Sequence, residues 1–154
     1  MGKLDHAGFK MGEIEGHRVW EVHKLDGVPT LRSWVYNCFW VPGGVVSDVS
    51  YAQPGICEGP IGEDNQRGVW AFKTRELLHA DFSQYGLQRA LVYGTCYLWG
   101  TVIEHELGYR AQHARVLGIE LVGDGNGPYN GWYYEANVPC DIDIDFLRKR
   151  YGVS

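Results

Sequence analysis

The run ALVYGTCYLWGTVIEHE, residues 90–106, decides the fold class. It is rich in aromatic and β-branched residues, and its side chains divide at every second position. Cys96, Leu98 and Val102 fall on one side; Tyr93, Thr95, Tyr97, Trp99, Thr101 and Ile103 fall on the other. Both sides are largely apolar, which predicts a central strand covered on both faces. Gly94 and Gly100 interrupt the run. Glycine inside a strand marks a bulge or the close approach of another backbone. Leu107-Gly108 turns the chain, and Tyr109 to Leu121 returns as the antiparallel partner. On that partner Tyr109, Ala111, His113, Arg115, Leu117 and Ile119 are expected on one face.

Working toward the N-terminus, Gly68 to Phe72 (GVWAF) reads as a short buried strand. A helix follows over 74–85: Thr74 suits its cap, and Leu78, Phe82 and Tyr85 share one face. Gly86 ends it. Residues 42–67 carry the breaks Pro42-Gly43-Gly44, Pro54-Gly55, Gly59-Pro60 and Gly62, so they read as one long loop, the natural place for a lid or binding loop. Leu31 to Val41 reads as a strand. His17 to His23 alternates, with Arg18, Trp20 and Val22 opposed to Val19 and Glu21, and reads as another. Asp26-Gly27 between them is a turn signal. Residues 1–16 read as an irregular arm.

Toward the C-terminus, Asp124-Gly125-Asn126-Gly127-Pro128 is a turn cluster. A second helix is expected over 143–151. Asp143 caps it, Asp145 sits in its first turn, and Arg148, Lys149 and Arg150 occupy its last turn, each with the sign that the helix dipole favours. Ile142 and Leu147 can form a hydrophobic staple across its start, and Gly152 ends it. The expected fold is therefore α+β: a single domain, residues 1–154, with a mostly antiparallel sheet and about two helices.

Composition bounds the function. The chain has 154 residues, enough to bury a core without a metal or disulfide. Its net charge of −5 argues against a large nucleic-acid footprint, which needs clustered Lys and Arg. No stretch has the apolar length of a membrane helix. The first residues lack the apolar core of a signal peptide, so a cytoplasmic location is expected. Cys38, Cys57, Cys96 and Cys140 form no CxxC pair and read as small buried thiols.

Two polar groups invite a chemical reading. Asp141, Asp143 and Asp145 could hold a hard cation from one strand face, but capping accounts for Asp143 and Asp145, and no metal site is expected. Glu104, His105 and Glu106 follow the central strand. If it continued through them, Glu104 and Glu106 would share a face and could split into acid and base roles. A salt bridge to Arg110 or Arg115 is the structural alternative. No Walker loop, GxSxG elbow or GxGxxG is present.

Gly68-Val69-Trp70-Ala71-Phe72-Lys73, Val92-Tyr93-Gly94, Leu98-Trp99-Gly100-Thr101-Val102, Glu104-His105-Glu106 and Gly108-Tyr109-Arg110-Ala111 together resemble a family of small uncharacterised bacterial and phage proteins. The layout is more loosely similar to ADP-ribosyltransferase-like folds. That similarity implies NAD as cofactor, with His17 or Arg18, Trp70 and Thr74 as ligand contacts. It also implies Glu104 or Glu106 as the catalytic carboxylate, with His105 between them, although the His-Gly-Thr and Tyr-Phe signatures are missing. Tyr109 and Arg110 complete the candidate ligand contacts. The favoured expectation is a non-catalytic binding protein acting on a protein partner or a small ligand, since aromatics are typical anchors. An NAD-using transferase is the alternative. A structural component, able to form a homo-oligomer through a sheet edge, comes third.

Overall fold

The structure, a computed structural model, describes residues 8–10, 14–33, 39–44, 46–47, 68–82, 91–120, 132–135 and 138–153. In chain order the elements are β1 (Gly8–Lys10), β2 (Ile14–Leu25), β3 (Val28–Ser33), β4 (Phe39–Trp40), β5 (Val46–Ser47), β6 (Val69–Phe72), α1 (Arg75–Phe82), β7 (Leu91–Glu104), β8 (Gly108–Glu120), β9 (Trp132–Glu135), β10 (Val138–Asp141) and α2 (Ile144–Tyr151). Every strand pairing among the described residues is antiparallel. The chain is thus the α+β domain expected.

β7 organises everything else. On one edge it pairs with β8 along almost its whole length. On the other it pairs with β2 from Leu91 to Leu98 and with β1 from Val102 to Glu104. β6 bonds to β8 and touches β2 through the single pair His17↔Phe72. The order β7–β8–β6–β2 therefore closes on itself as a small, uneven ring. β3 and β4 extend β2 outward, and β9 and β10 form a separate hairpin.

A ring of four strands leaves little room inside, and the inward residues are correspondingly small. Gly16, Ala71, Cys96, Ala111 and Ala114 are all buried. A Cβ on Gly16 would sit 2.6 Å from Ala71 Cβ, and one on Gly94 would sit 2.1 Å from the Gly118 carbonyl oxygen. Larger side chains fill the core toward β3 and β4. There Trp20 and Trp40 meet edge to face at 5.3 Å. Arg18 is buried among them. Its guanidinium lies 4.9 Å from the Trp40 ring and donates to the Trp70 carbonyl (2.5 Å) and Ser33 Oγ (3.3 Å). A buried charge is tolerated only with such partners. Cys96 is a free, fully buried thiol whose pKa burial pushes up to about 12, so it behaves as a small apolar group. Cys38, Cys57 and the side chain of Cys140 lie outside the described residues.

α2 packs on the core beside β3 and β4. Asp143 accepts from the Phe146 amide (3.0 Å), and Gly152 closes the helix at φ 66° with its amide donating to the Lys149 carbonyl. Ile142 and Leu147 both enter the core. Arg148 Nε donates to the Ile119 carbonyl, and Arg150 donates to Thr30 Oγ1. The Tyr151 hydroxyl accepts from the Leu31 amide (2.9 Å) and donates to the Trp40 carbonyl.

Several boundaries differ from expectation. The arm is not wholly irregular: Gly8–Lys10 form β1, and β2 already starts at Ile14. The hairpin turn is tighter than expected. Asp26 and Gly27 have φ of 51° and 80°, as a two-residue type I′ turn requires, so β3 starts at Val28. The strand expected over 31–41 is divided into β3 and β4, with 34–38 outside the described residues. Within the loop expected over 42–67, Val46 and Ser47 pair with Ala114 and His113; residues 48–67 lie outside the described residues, as do Tyr85, Gly86 and 124–128.

The faces of β8 also differ. Two irregularities break its register with β7, between Thr95 and Cys96 and between Trp99 and Val102. Each reverses the parity of β8. Ala111, Ala114 and Ile119 all enter the core, whereas His113 and Arg115 contact the outer rings of β7. Gly100, at φ 81°, supplies the second irregularity.

Candidate functional site

β7 ends at Glu104, and the three residues after it form the turn to β8. The His105 amide donates to the Gly108 carbonyl (2.8 Å), and the Lys73 amide donates to the Leu107 carbonyl (3.0 Å). The turn is thereby fastened to the end of β6. Trp70 pairs across the sheet with Arg110, and Ile103 lies on Arg110's other side. His105 stacks on Trp70 at 5.1 Å, and the Arg110 guanidinium lies 5.4 Å from the same ring. Arg110 Nε donates to His105 Nε2 at 3.1 Å. In that bond Nε2 accepts. Arg110 and His105 are buried, and burial lowers the guanidinium's pKa from its ordinary value. The stack joins the β7–β8 turn to β6 and occupies the nitrogen His105 would use as a base.

The expected carboxylate pair does not assemble. Glu104 closes the strand and forms an ion pair with Lys73 (3.0 Å), whose ammonium also approaches the Tyr109 ring. Glu106 lies exposed on the turn. The cause is local: the turn starts at His105, so Glu104 and Glu106 are not two positions of one strand. The other expected contacts are scattered. Arg18 points into the core. Thr74 caps α1, its hydroxyl accepting from the Leu77 amide at 3.2 Å. His17 lies on the outer face of the ring.

That outer face holds a group which sequence alone did not single out. Tyr93, Thr95, Tyr97 and Trp99 follow one another along it on β7. Across the strands Tyr97 is opposite Glu15 and Arg115, Thr95 opposite His17 and Gly118, Tyr93 opposite Val19 and Glu120, and Trp99 opposite His113. The Arg115 guanidinium lies 4.6 Å from the Tyr97 ring, and His113 lies 5.6 Å from Trp99. At the other end α1 crosses Tyr93. Arg75 covers its ring at 4.9 Å, His79 approaches at 5.6 Å, and His17 Nδ1 is 3.1 Å from its hydroxyl. Arg75 also donates to His79 Nε2 (3.2 Å) and faces Glu120 at 3.6 Å. Burial raises the Tyr93 pKa, with Glu120 adding to it. Burial, and then Arg75, lowers the His79 pKa.

Two signals pointed toward this group. Tyr93, Tyr97 and Trp99 alternate on one side of the 90–106 run, and Arg75 and His79 are spaced i, i+4. Their meeting depends on where α1 lands, which no local pattern encodes. Among the described residues no three His, Cys, Asp or Glu side chains gather as metal ligands, and no helix is long and apolar enough to cross a membrane. In comparisons with known proteins no family model matches the chain, and no curated protein or solved structure matches it.

Proposed function

We propose that this is a non-catalytic binding protein, of the bacterial or phage kind its sequence resembles, which recognises a ligand on the outer face of β2, β7 and β8. One observation carries the reading: Tyr97 and Trp99 stand beside His113 and Arg115 on the neighbouring strand, with Tyr93 buried at the end of the row beside His17. Aromatic and Arg side chains on a rigid sheet are the usual anchors of a recognition surface, because they bury much area at little conformational cost. The rings are half-buried at Tyr97 and Trp99, so they are already ordered before contact.

The NAD-using transferase reading has less support. It needs a carboxylate positioned in a site to meet a sugar cation, whereas Glu104 is engaged by Lys73 and Glu106 lies exposed on the turn. The test starts with wild-type protein, screened by thermal shift against NAD and a nucleotide panel and used as bait for protein partners. Ligands found in this way are then measured against Tyr97→Ala and Trp99→Ala. Truncating an anchor residue weakens binding by about thirtyfold or more, with little change in melting temperature. Retention of every ligand by both variants would remove the outer face as the binding surface. Release of nicotinamide from NAD by the wild type, lost in Glu104→Gln or in Glu106→Gln, would establish the transferase instead.

A further inference from the structure

We infer that Arg75, His79, His17 and Tyr93 form a binding site for a phosphate monoester, with Glu120 occupying the anion position when the site is empty. The inference rests on the outer-face reading above and names the chemistry at one end of that face. The four side chains come from three separate elements, α1, β2 and β7, and converge on one phenol hydroxyl and ring. Arg75 carries five N–H donors in a planar fork, and only Nε is committed to His79. The four N–H groups left on Arg75 outnumber the two oxygens of a carboxylate. A phosphate monoester, with three terminal oxygens and close to two negative charges, matches them better.

Glu120 shows where an anion sits. Its carboxylate faces the Arg75 guanidinium at 3.6 Å, too long for a good charge-assisted hydrogen bond. Both side chains are about half exposed, at 51% and 45%, so a solute can reach the guanidinium and displace the carboxylate. The charged and titratable groups around Tyr93 and His79 are Arg75 and Glu76 on α1, Glu120 on β8, and Glu15 and His17 on β2. Glu120 is the one carboxylate among them with an ion pair to Arg75. An incoming dianion would favour the protonated form of His79, so His79 should titrate at higher pH in its presence.

The test uses the full chain and three probes: inorganic phosphate, AMP and glycerol 3-phosphate. Binding is followed by NMR of the histidine ring protons. All three probes are expected to shift His17 and His79 and to raise the His79 pKa. Arg75→Ala should abolish these shifts. Glu120→Gln removes the competing charge and should tighten binding about three- to fivefold, the scale of an exposed ion pair. This gain guards against a trivial loss of fold in the Arg75 variant, since a damaged site does not bind more tightly. If AMP binds more tightly than glycerol phosphate, and Tyr97→Ala removes the difference, the phosphate belongs to a nucleotide; equal binding assigns it to a simpler ester. Unmoved His17 and His79 signals with all probes would overturn the inference, as would unchanged or weaker binding in Glu120→Gln. Neither result touches the outer-face reading, which stands or falls with Tyr97→Ala and Trp99→Ala against their own ligand.

Discussion

Replacing Tyr151 by Phe removes one oxygen and leaves the ring. That oxygen joins three elements: on α2, it accepts from the Leu31 amide of β3 and donates to the Trp40 carbonyl of β4. Leu31 and Trp40 are 0% and 1% exposed, so few waters can replace it. A buried backbone group left without its partner costs about 1–3 kcal/mol. Two groups are affected, but Tyr151 itself is only half-buried and admits some relaxation, so the low end applies. The expected loss is about 2–3 kcal/mol, or about 5–10 °C in melting temperature for a chain of this length. Urea denaturation measures it directly: the midpoint should fall with no change in slope, because the same surface is exposed on unfolding. pH supplies a second signature. Burial pushes the Tyr151 pKa up to about 12, from an ordinary value of 10.0. The folded state thus holds the phenolic proton more tightly than the unfolded state does. The stability this confers is complete below pH 10 and is lost as pH rises through 12. The advantage of wild type over Tyr151→Phe should therefore shrink across that window. A loss below about 0.5 kcal/mol at neutral pH would show that α2 docks by apolar contact alone and that the hydroxyl bridge carries no weight.

Two other substitutions test the ring and its turn. Gly94→Ala forces a methyl group to within 2.1 Å of the Gly118 carbonyl and 3.0 Å of Trp20, and should cost more than about 3 kcal/mol or abolish folding; circular dichroism showing a variant within about 1 kcal/mol of wild type would contradict the close approach of β7 and β8. Glu104→Gln breaks an ion pair whose side chains are 28% and 31% exposed and should cost no more than about 1 kcal/mol in urea denaturation; a loss above about 2 kcal/mol would mean that the carboxylate holds the turn in a way the Lys73 pair does not explain.

The features legible in the sequence are those set within a few residues of themselves. Asp26-Gly27 marked a hairpin because few other residues adopt two successive positive φ values. Asp143 marked a helix start because its oxygen reaches an amide three residues on. Gly94 and Gly100 marked a close approach and a bulge because a side chain fits at neither. What escaped was set by partners far along the chain. β1 has no alternation of its own and exists because the end of β7 offers a free edge. The parity of β8 reverses twice, so a face read by counting from Tyr109 is wrong at His113 and Arg115 and right again at Ile119. The candidate carboxylates Glu104 and Glu106 were separated by a turn that began two residues earlier than the strand pattern implied. The Tyr93 cluster was legible only in parts for a related reason: its members stand on β2, α1, β7 and β8, and only ring closure gathers them.

Ring closure is itself unequal, and this has a mechanical consequence. β2 holds β7 through a ladder from Ile14 to Glu21, but holds β6 through one backbone pair, His17 with Phe72, and the Arg18 bond to the Trp70 carbonyl. Thermal opening of a sheet starts where the fewest backbone bonds must break together. The seam between β2 and β6 is that place, and its amides should exchange with solvent before those of the β7–β8 ladder. α1 follows β6 directly, so it rides on the same edge. When the seam parts, Arg75 and His79 move relative to Tyr93 while His17 stays with β2. The cheapest breathing motion of the ring is thus also the one that opens and closes the cationic cluster.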